Sequence, residues 1–409
     1  MPETDLPLVV VAGNIVLDLF PPLVLPPGQP LRDLLVGGQT IELGAMIASP
    51  GGVVPNTGIG LCKLGIRVRA LGQVGSDFLG SELRRLLHAT SLDSTYLTEV
   101  EGTTSYTIVL SPPGTDRIFL HHTGPARTFS AGAINWEAVA EAGLFHLGYP
   151  PLMPALYADG GAGLAEIMRH AKELGATTSL DMCMLPPGSD GARQDWHAIF
   201  RAALPYVDLL LPSIEELLLF LRPEAYLELN ARADGRELLS VIQPEHFAEL
   251  ADVLLDMGVA VAGIKAGHLG MYARTAGSER LAQLGRTAVP DVIGWANREL
   301  WEPGFEPRRI VTATGAGDAA VAGFLAAFVR GCGPEDTIRY ACALGAQSLE
   351  AADATSGIHG WQKTIDRIAA GWEKNHVDHV LPGSRFDEIT GQWIGPSDAL
   401  RQFERGREV

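Results

Sequence analysis

The stretch with the most evident chemistry is Thr314-Gly315-Ala316-Gly317-Asp318. It follows a short β-branched run, Ile310-Val311-Thr312, which predicts a strand. It leads into an apolar segment from Val321 to Val329, with the length and spacing of a buried helix that Gly331 would end. A strand, a glycine turn and a helix start together make an anion site. First-turn N–H groups and the positive end of the helix dipole converge on one spot, and glycine lets a phosphate approach the backbone closely. Asp318 should repel such a phosphate. Its presence there suits a general base beside a phosphoryl group in transfer. The same residues also suit an ordinary helix start with an acid in its first turn.

Phosphoryl transfer needs a base, donors for the transferred charge, and acids that organise a metal. Pro212-Ser213-Ile214-Glu215-Glu216 puts two acids at the end of an apolar run, a candidate metal position, although acids at a helix start are often simply solvated. Leu8-Val9-Val10-Val11-Ala12-Gly13 reads as a strand buried on both faces, and Asp18 is the first charge after it. We place Asp18 at the end of that central strand, where α/β sheets hold ligands. Gly51-Gly52 offers bare backbone to a ligand, and Asn56 is expected to cap a helix closed by the Gly65 turn. His121 and His122, and the pair His376 and His379, are expected at the surface.

Other chemistries fit less well. Gly315-Ala316-Gly317-Asp318-Ala319-Ala320 formally matches GxGxxG/A, but it lies late in the chain and carries its acid inside the turn. A nicotinamide-dependent dehydrogenase is therefore the weaker reading. No GxxxxGK[ST], GxSxG or HExxH pattern occurs. The 409 residues are 46% apolar and 19% charged, which fits a globular protein with a large core, and the net charge of −17 argues against a nucleic-acid surface. Cys62, Cys183, Cys332 and Cys342 lack metal or disulfide spacing. The acidic N-terminus does not read as a signal peptide, and no apolar run approaches the ~20 residues of a spanning helix. A reducing cytoplasm is the expected location, with no membrane partner.

The elements that would position these groups alternate regularly. Val68 to Gly75 reads as a strand, and Asp77 starts a helix through Leu87. Strands near Leu144–Gly148, Thr178–Asp181, Val207–Pro212 and Val259–Lys265 alternate with helices around 155–175, 194–204, 214–221 and 245–257. The pattern predicts an α/β fold with a mostly parallel sheet and helices on both faces. Residues 21–50, read as irregular strands, and a hairpin over 103–122 would make a small β-sheet lid. Two stretches look inserted: 222–244, charged and irregular, and 276–309, expected to cover the domain or contact a partner. Helices follow over 316–330, 334–351 and 361–373, and the tail is weakly periodic.

In this order these residues resemble the ribokinase-like (pfkB) carbohydrate kinase family, over about residues 8–373. The resemblance rests on two motifs. One runs from Gly51-Gly52 through Asn56 and Leu64-Gly65 to Gly72-Gln73-Val74-Gly75-Ser76-Asp77-Phe78-Leu79-Gly80; the other is Thr314-Gly315-Ala316-Gly317-Asp318 with Ala322-Gly323-Phe324. It implies a ribokinase-like domain over 1–375, a C-terminal extension over 376–409, and transfer of the ATP γ-phosphate to a hydroxyl of a small sugar, polyol or nucleoside. By this resemblance Asp318 is the base, and Gly315, Ala316 and Gly317 form the anion hole. Asp18, Gly51, Gly52 and Asn56 match substrate-holding positions. Glu216, with Ser213 before it, matches the motif that organises magnesium and phosphates. Lys265, the Gly267-His268-Leu269-Gly270 loop and Thr314 match the nucleotide side, and Asp116-Arg117 matches the lid hairpin. The implied cofactors are ATP and Mg2+, with dependence on a monovalent cation left open, and a homodimer through the lid is an implied assembly. The pattern is broken in four places. Ser213 stands for the Asn of Asn-x-x-Glu, Cys183 for the Asn of Asp-x-Asn, Thr312-Ala313 for Asp-Thr, and Lys265 for a common Thr. A non-catalytic sugar- or nucleotide-binding protein on the same fold remains the alternative.

Overall fold

Continuous β-branched and leucine-rich runs, separated by capped amphipathic stretches, build a ten-stranded sheet in the computed structural model. The structure describes residues 6–24, 36–38, 40–111, 118–377 and 380–399. The parts of the lid reading that fall on 25–35 and 112–117, including Asp116-Arg117, lie outside these residues, as do His379 and 400–409. In spatial order the strands are Arg385–Asp387, Gln392–Ile394, Glu299–Glu302, Met271–Thr275, Val261–Lys265, Leu209–Leu210, Thr177–Asp181, Leu144–Gly148, Val9–Gly13 and Val68–Leu71. Pairing is parallel from Val68–Leu71 to Val261–Lys265 and antiparallel beyond.

Alternate side chains serve two cores. Val10, Phe145, Leu180 and Ile264 face one apolar layer, while Val9, Val11, Leu144 and Val261 face the other. The second layer holds helices Val53–Lys63 and Ala316–Val329, which pack on one another. Ala316–Val329 is buried on every side from Asp318 onward, as a helix apolar all round must be. The helices expected near 194–204, 214–221 and 245–257 are Trp196–Ala203, Ile214–Leu221 and Pro244–Asp256. Pro154–Glu173 is broken at Ala158–Gly161, where four residues leave helical geometry.

Five expectations need correction. Asp18 is not at the end of a central strand. The chain leaves the main sheet at Gly13, whose φ of 123° and contact with Gly148 O exclude a side chain. It then enters a second sheet ordered Ile47–Gly51, Val16–Phe20, Tyr106–Leu110, Ile118–His122, and Asp18 lies within that sheet, opposite Ser49 and Thr107. Ile310-Val311-Thr312 is not a strand. Ile310 and Val311 are 73% and 45% exposed, and the Val311 and Thr312 N–H groups donate to one carbonyl, Leu349 O. Val68 to Gly75 breaks at Gly72, and Gln73–Gly75 turns away to pair with Thr98–Val100.

The remaining two concern the inserted stretches. Pro223–Ala233 is a helix, so 222–244 is not irregular throughout. The 276–309 stretch is more than a covering segment: it supplies the sheet strand Glu299–Glu302, while Leu281, Val289 and Trp295 pack on the core and Trp301 is buried. The tail beyond 375 likewise adds two strands to this edge, and Asp398 is buried against Arg298 at 2.9 Å.

Candidate active site

Gly315 starts helix Ala316–Val329 in the left-handed region, φ 79°, and a Cβ there would come within 2.1 Å of the Ala354 Cβ. Only glycine fits both the turn and the neighbour. Ala316 N–H donates to Ala313 O at 3.2 Å, whereas the N–H groups of Gly315 and Gly317 find no acceptor among the described residues. These two amides, at the positive end of a fourteen-residue helix, are the kind of donors that can receive an anion. Thr314 N–H turns inward to Thr312 Oγ1 at 3.1 Å.

Asp318 sits one turn in and is buried. Its Oδ2 accepts from Asn56 Nδ2 at 2.9 Å, and its Oδ1 accepts from Tyr149 Oη and, at 3.5 Å, from Thr57 Oγ1. Burial raises its pKa, and these three donors together with Lys265 pull it partly back. A carboxylate made more basic by burial, yet held as an anion by donors, is suited to taking a proton. Asn56 is therefore not a helix cap, as its position suggested. Gly52, with φ 83°, is the N-cap, and Asn56 projects from within helix Val53–Lys63 to the base.

Gly51 and Gly52 link the base to the second sheet. A Cβ on Gly51 would fall 1.9 Å from Asp18 Oδ2, and one on Gly52 would fall 2.6 Å from Asn14 Oδ1. Side chains from the second sheet and from the connection to it thus rest directly on the glycine pair. Asn14 Nδ2 is buried there and has no partner among the described residues, a donor a ligand oxygen would satisfy.

On the other side of the anion turn, Lys265 ends its strand with Nζ 2.6 Å from Asp181 Oδ1, both buried. The same ammonium is 3.8 Å from where a Gly317 Cβ would stand. Burial pushes the Asp181 carboxyl up to about 7; Lys265 opposes that, and the charges of Glu216 and Asp318 add to it. Burial and the charges of Glu216, Asp181 and Asp318 also drive the Cys183 thiol upward, so Cys183 stands among these carboxylates as a neutral group. His146, below them, bonds Ser179 through Nδ1 at 2.9 Å; burial and then Lys265 lower its pKa to about 3, which keeps it neutral.

Ser213 has a local reason. It is the N-cap of Ile214–Leu221, its Oγ accepting from Glu216 N at 3.2 Å while Glu216 Oε2 accepts from Ser213 N at 2.7 Å. The capping box restrains Glu216, whose charge acts on Asp181, Cys183 and Lys265. No three His, Cys, Asp or Glu residues form a ready metal cluster among the described residues. Gly267 and Gly270 flank the turn between Val261–Lys265 and Met271–Thr275. Gly270 has φ 99° and no room for a Cβ beside Glu302 O. The turn's carbonyls are held by Asn375 Nδ2 at 2.7 Å and Trp301 Nε1 at 2.8 Å.

Tyr149, Thr57 and Asn14 reach the site without having been singled out in the sequence. Thr57 adjoins Asn56, and Tyr149 precedes Pro150-Pro151 at a strand end, a local signal of a constrained turn.

Residues 31–360 match the pattern of the pfkB family carbohydrate kinases. The chain is 24% identical over 323 residues to a nucleoside kinase of Methanothermobacter thermautotrophicus, a span of 79% of this chain and 85% of that protein. It is 23% identical over 324 residues to a 2-dehydro-3-deoxygluconokinase of Bacillus subtilis, covering 78% and 86% respectively. Its fold matches that of Arabidopsis thaliana ribokinase complexed with ribose and ATP at a TM-score of 0.63, with 17% identity and coverage of 88% and 98%. The match over most of its length, on a fold whose glycine turn and buried aspartate are in place, makes this chain a member of the pfkB family of carbohydrate kinases.

Proposed function

We propose that this protein transfers the γ-phosphoryl group of ATP to a hydroxyl of a small sugar-like acceptor. The observation that carries the reading is Asp318, buried in the first turn beneath the Gly315 and Gly317 amides and held by three donors. Asp318 takes the acceptor's proton as the new O–P bond forms and ADP leaves. The two amides and Lys265 meet the charge on the transferred group. Asp18, Asn14 and the Gly51–Gly52 backbone hold the acceptor's other hydroxyls, while Asn56 acts through the base. Gly267, Gly270 and Thr314 border the nucleotide.

Mg2+ fits the charge of the site. Asp181, Glu216 and Asp318 all act on the Lys265 ammonium, and the Asp181 carboxyl, raised mainly by burial, is raised further by the charges of Glu216 and Asp318. Glu216 would hold the ion, with Ser213 fixing its carboxylate. When bound, Mg2+ neutralises phosphate oxygens.

No helix among the described residues is long and apolar enough to cross a membrane, and the four cysteines are unpaired, which suits a reducing cytoplasm. The exposed strand Ile118–His122 is the outer strand of the small sheet among the described residues, an edge where a second copy would pair. Sedimentation of the wild type against Phe119→Glu tests that assembly, and equal mass for the two would rule it out.

A coupled ADP-release screen over pentoses, hexoses, keto-deoxy acids, sugar phosphates and nucleosides tests the activity. Turnover of one class, lost in Asp318→Asn, is the expected result. Calorimetric ATP binding with no ADP formed on any acceptor would favour a binding protein on this fold instead.

A further inference from the structure

One of the three donors on Asp318 comes from a residue in a backbone conformation that bulky side chains rarely adopt. Tyr149 has φ 61° and ψ 59°, in the left-handed region. Its surroundings impose this. Gly148 before it lies so close to Val53 that a Cβ would come within 2.4 Å of Cγ2. Pro150 and Pro151 follow with φ fixed by their rings, and Tyr149 O accepts from Leu152 N at 3.0 Å. Strain of this kind persists where the surroundings over-determine it, and it gathers at functional sites.

The conformation carries the phenol from the end of strand Leu144–Gly148 across to helix Ala316–Val329, where it donates to Asp318 Oδ1. Burial first, and then the charges of Asp318 and Asp181, raise its pKa well above the ordinary value, so it stays protonated at neutral pH. A protonated phenol facing a carboxylate can only donate.

We propose that Tyr149 is a positioning residue of the phosphoryl-transfer site, its hydroxyl orienting the Asp318 carboxylate toward the acceptor and holding it as the anion. The inference rests on Asp318 being the base. Asp318 is surrounded by Tyr149 from the strand end, Asn56 and Thr57 from helix Val53–Lys63, and Lys265, Asp181 and Cys183 from the sheet. Lys265 and the helix donors Asn56 and Thr57 remain when the phenol oxygen is removed, so the effect of Tyr149 can be read separately.

The test is Tyr149→Phe in the full chain, which keeps the aromatic ring and its conformation while deleting the donor. The acid limb of kcat/KM against pH, measured with MgATP and the acceptor found by the screen, should move up by about one pH unit. That is about a tenfold loss below the limb with a near wild-type rate above it, and unchanged ATP binding. A limb left in place would overturn the proposal, because Phe fills the same space and a ring that only packs leaves the ionisation of Asp318 unchanged. Fluorotyrosine placed at position 149 is a stronger donor and should move the limb down; a limb that stays put or moves up would also overturn it. Full activity of Asp318→Asn would instead remove the base itself, a different failure that these two profiles do not mimic.

Discussion

Lys265 gives the sharpest test of the charge balance around the base. It is buried, and its Nζ is 2.6 Å from Asp181 Oδ1. The Asp181 carboxyl is raised from 3.8 to about 7, roughly three units at about 1.4 kcal/mol each, so ionised Asp181 costs on the order of 4 kcal/mol relative to an exposed carboxylate. The sign follows from proton binding. Between pH 4 and 7 the folded chain holds a proton that the unfolded chain releases, so Asp181 favours folding at low pH and disfavours it as pH rises through 7. Lys265→Met removes the largest influence opposing that rise, and the carboxyl climbs further. At pH 6 the variant folds around a neutral acid and loses little stability. At pH 9 it must bury an unpaired carboxylate, with a loss of about 3–5 kcal/mol. Urea melts at pH 6, 7, 8 and 9 should show the deficit growing by up to about 1.4 kcal/mol per pH unit. Asp181→Asn in the Lys265→Met background should recover most of the loss. A deficit independent of pH, or a double variant as unstable as the sum of the singles, would refute the pairing.

Three further outcomes are expected. Asp318→Asn should lower turnover by ~10²–10⁴-fold while calorimetry finds ATP bound as before; wild-type turnover would remove Asp318 from the base role. Ser213→Ala breaks the capping box and should cost about 1 kcal/mol in thermal melts. It should also raise KM for MgATP more than it lowers kcat, because Glu216 loses its restraint; a change in stability alone would confine Ser213 to the helix start. Gly315→Ala forces a Cβ to 2.1 Å from Ala354 at φ 79°, with a strain of about 1–2 kcal/mol before any clash. Turnover should fall well beyond what lost folding explains, and soluble, fully active protein would show that the turn tolerates displacement.

The alternation of strands and helices was legible because most of its strands are buried on both faces and read as continuous apolar runs. The same logic misread Ile310-Val311-Thr312, where β-branched side chains have no neighbouring strand to pair with and lie at the surface beside Leu349. Propensity describes a residue's fit to a sheet, and here no sheet is offered. Asn56 was legible as a site residue but not in its role, since capping rules consider only local chain and Gly52 already serves as the cap. The antiparallel edge was not legible. Its outer strands are three residues long and are fixed by distant pairs such as Arg298 with Asp398, 100 positions apart. Tyr149 escaped notice for a related reason, because its importance lies in a contact 169 positions away.

The departures from the family pattern fall into a physical order once the geometry is known. Asp318 and its glycine turn keep the family pattern, and the altered positions lie around them. Ser213 trades an amide for a hydroxyl that caps the helix and restrains Glu216. Cys183 replaces one neutral side chain, the Asn amide, with another, a thiol that burial and the nearby carboxylates keep protonated. Lys265 supplies the single buried cation against Asp181, Glu216 and Asp318. Each of these three changes bears on the charged groups near Asp318 rather than on Asp318 itself or the glycine turn. Thr312-Ala313 is consistent with this division. Its carbonyl and hydroxyl serve the turn by accepting from Ala316 and Thr314, so the altered residues hold the turn in shape without engaging the Gly315 and Gly317 amides.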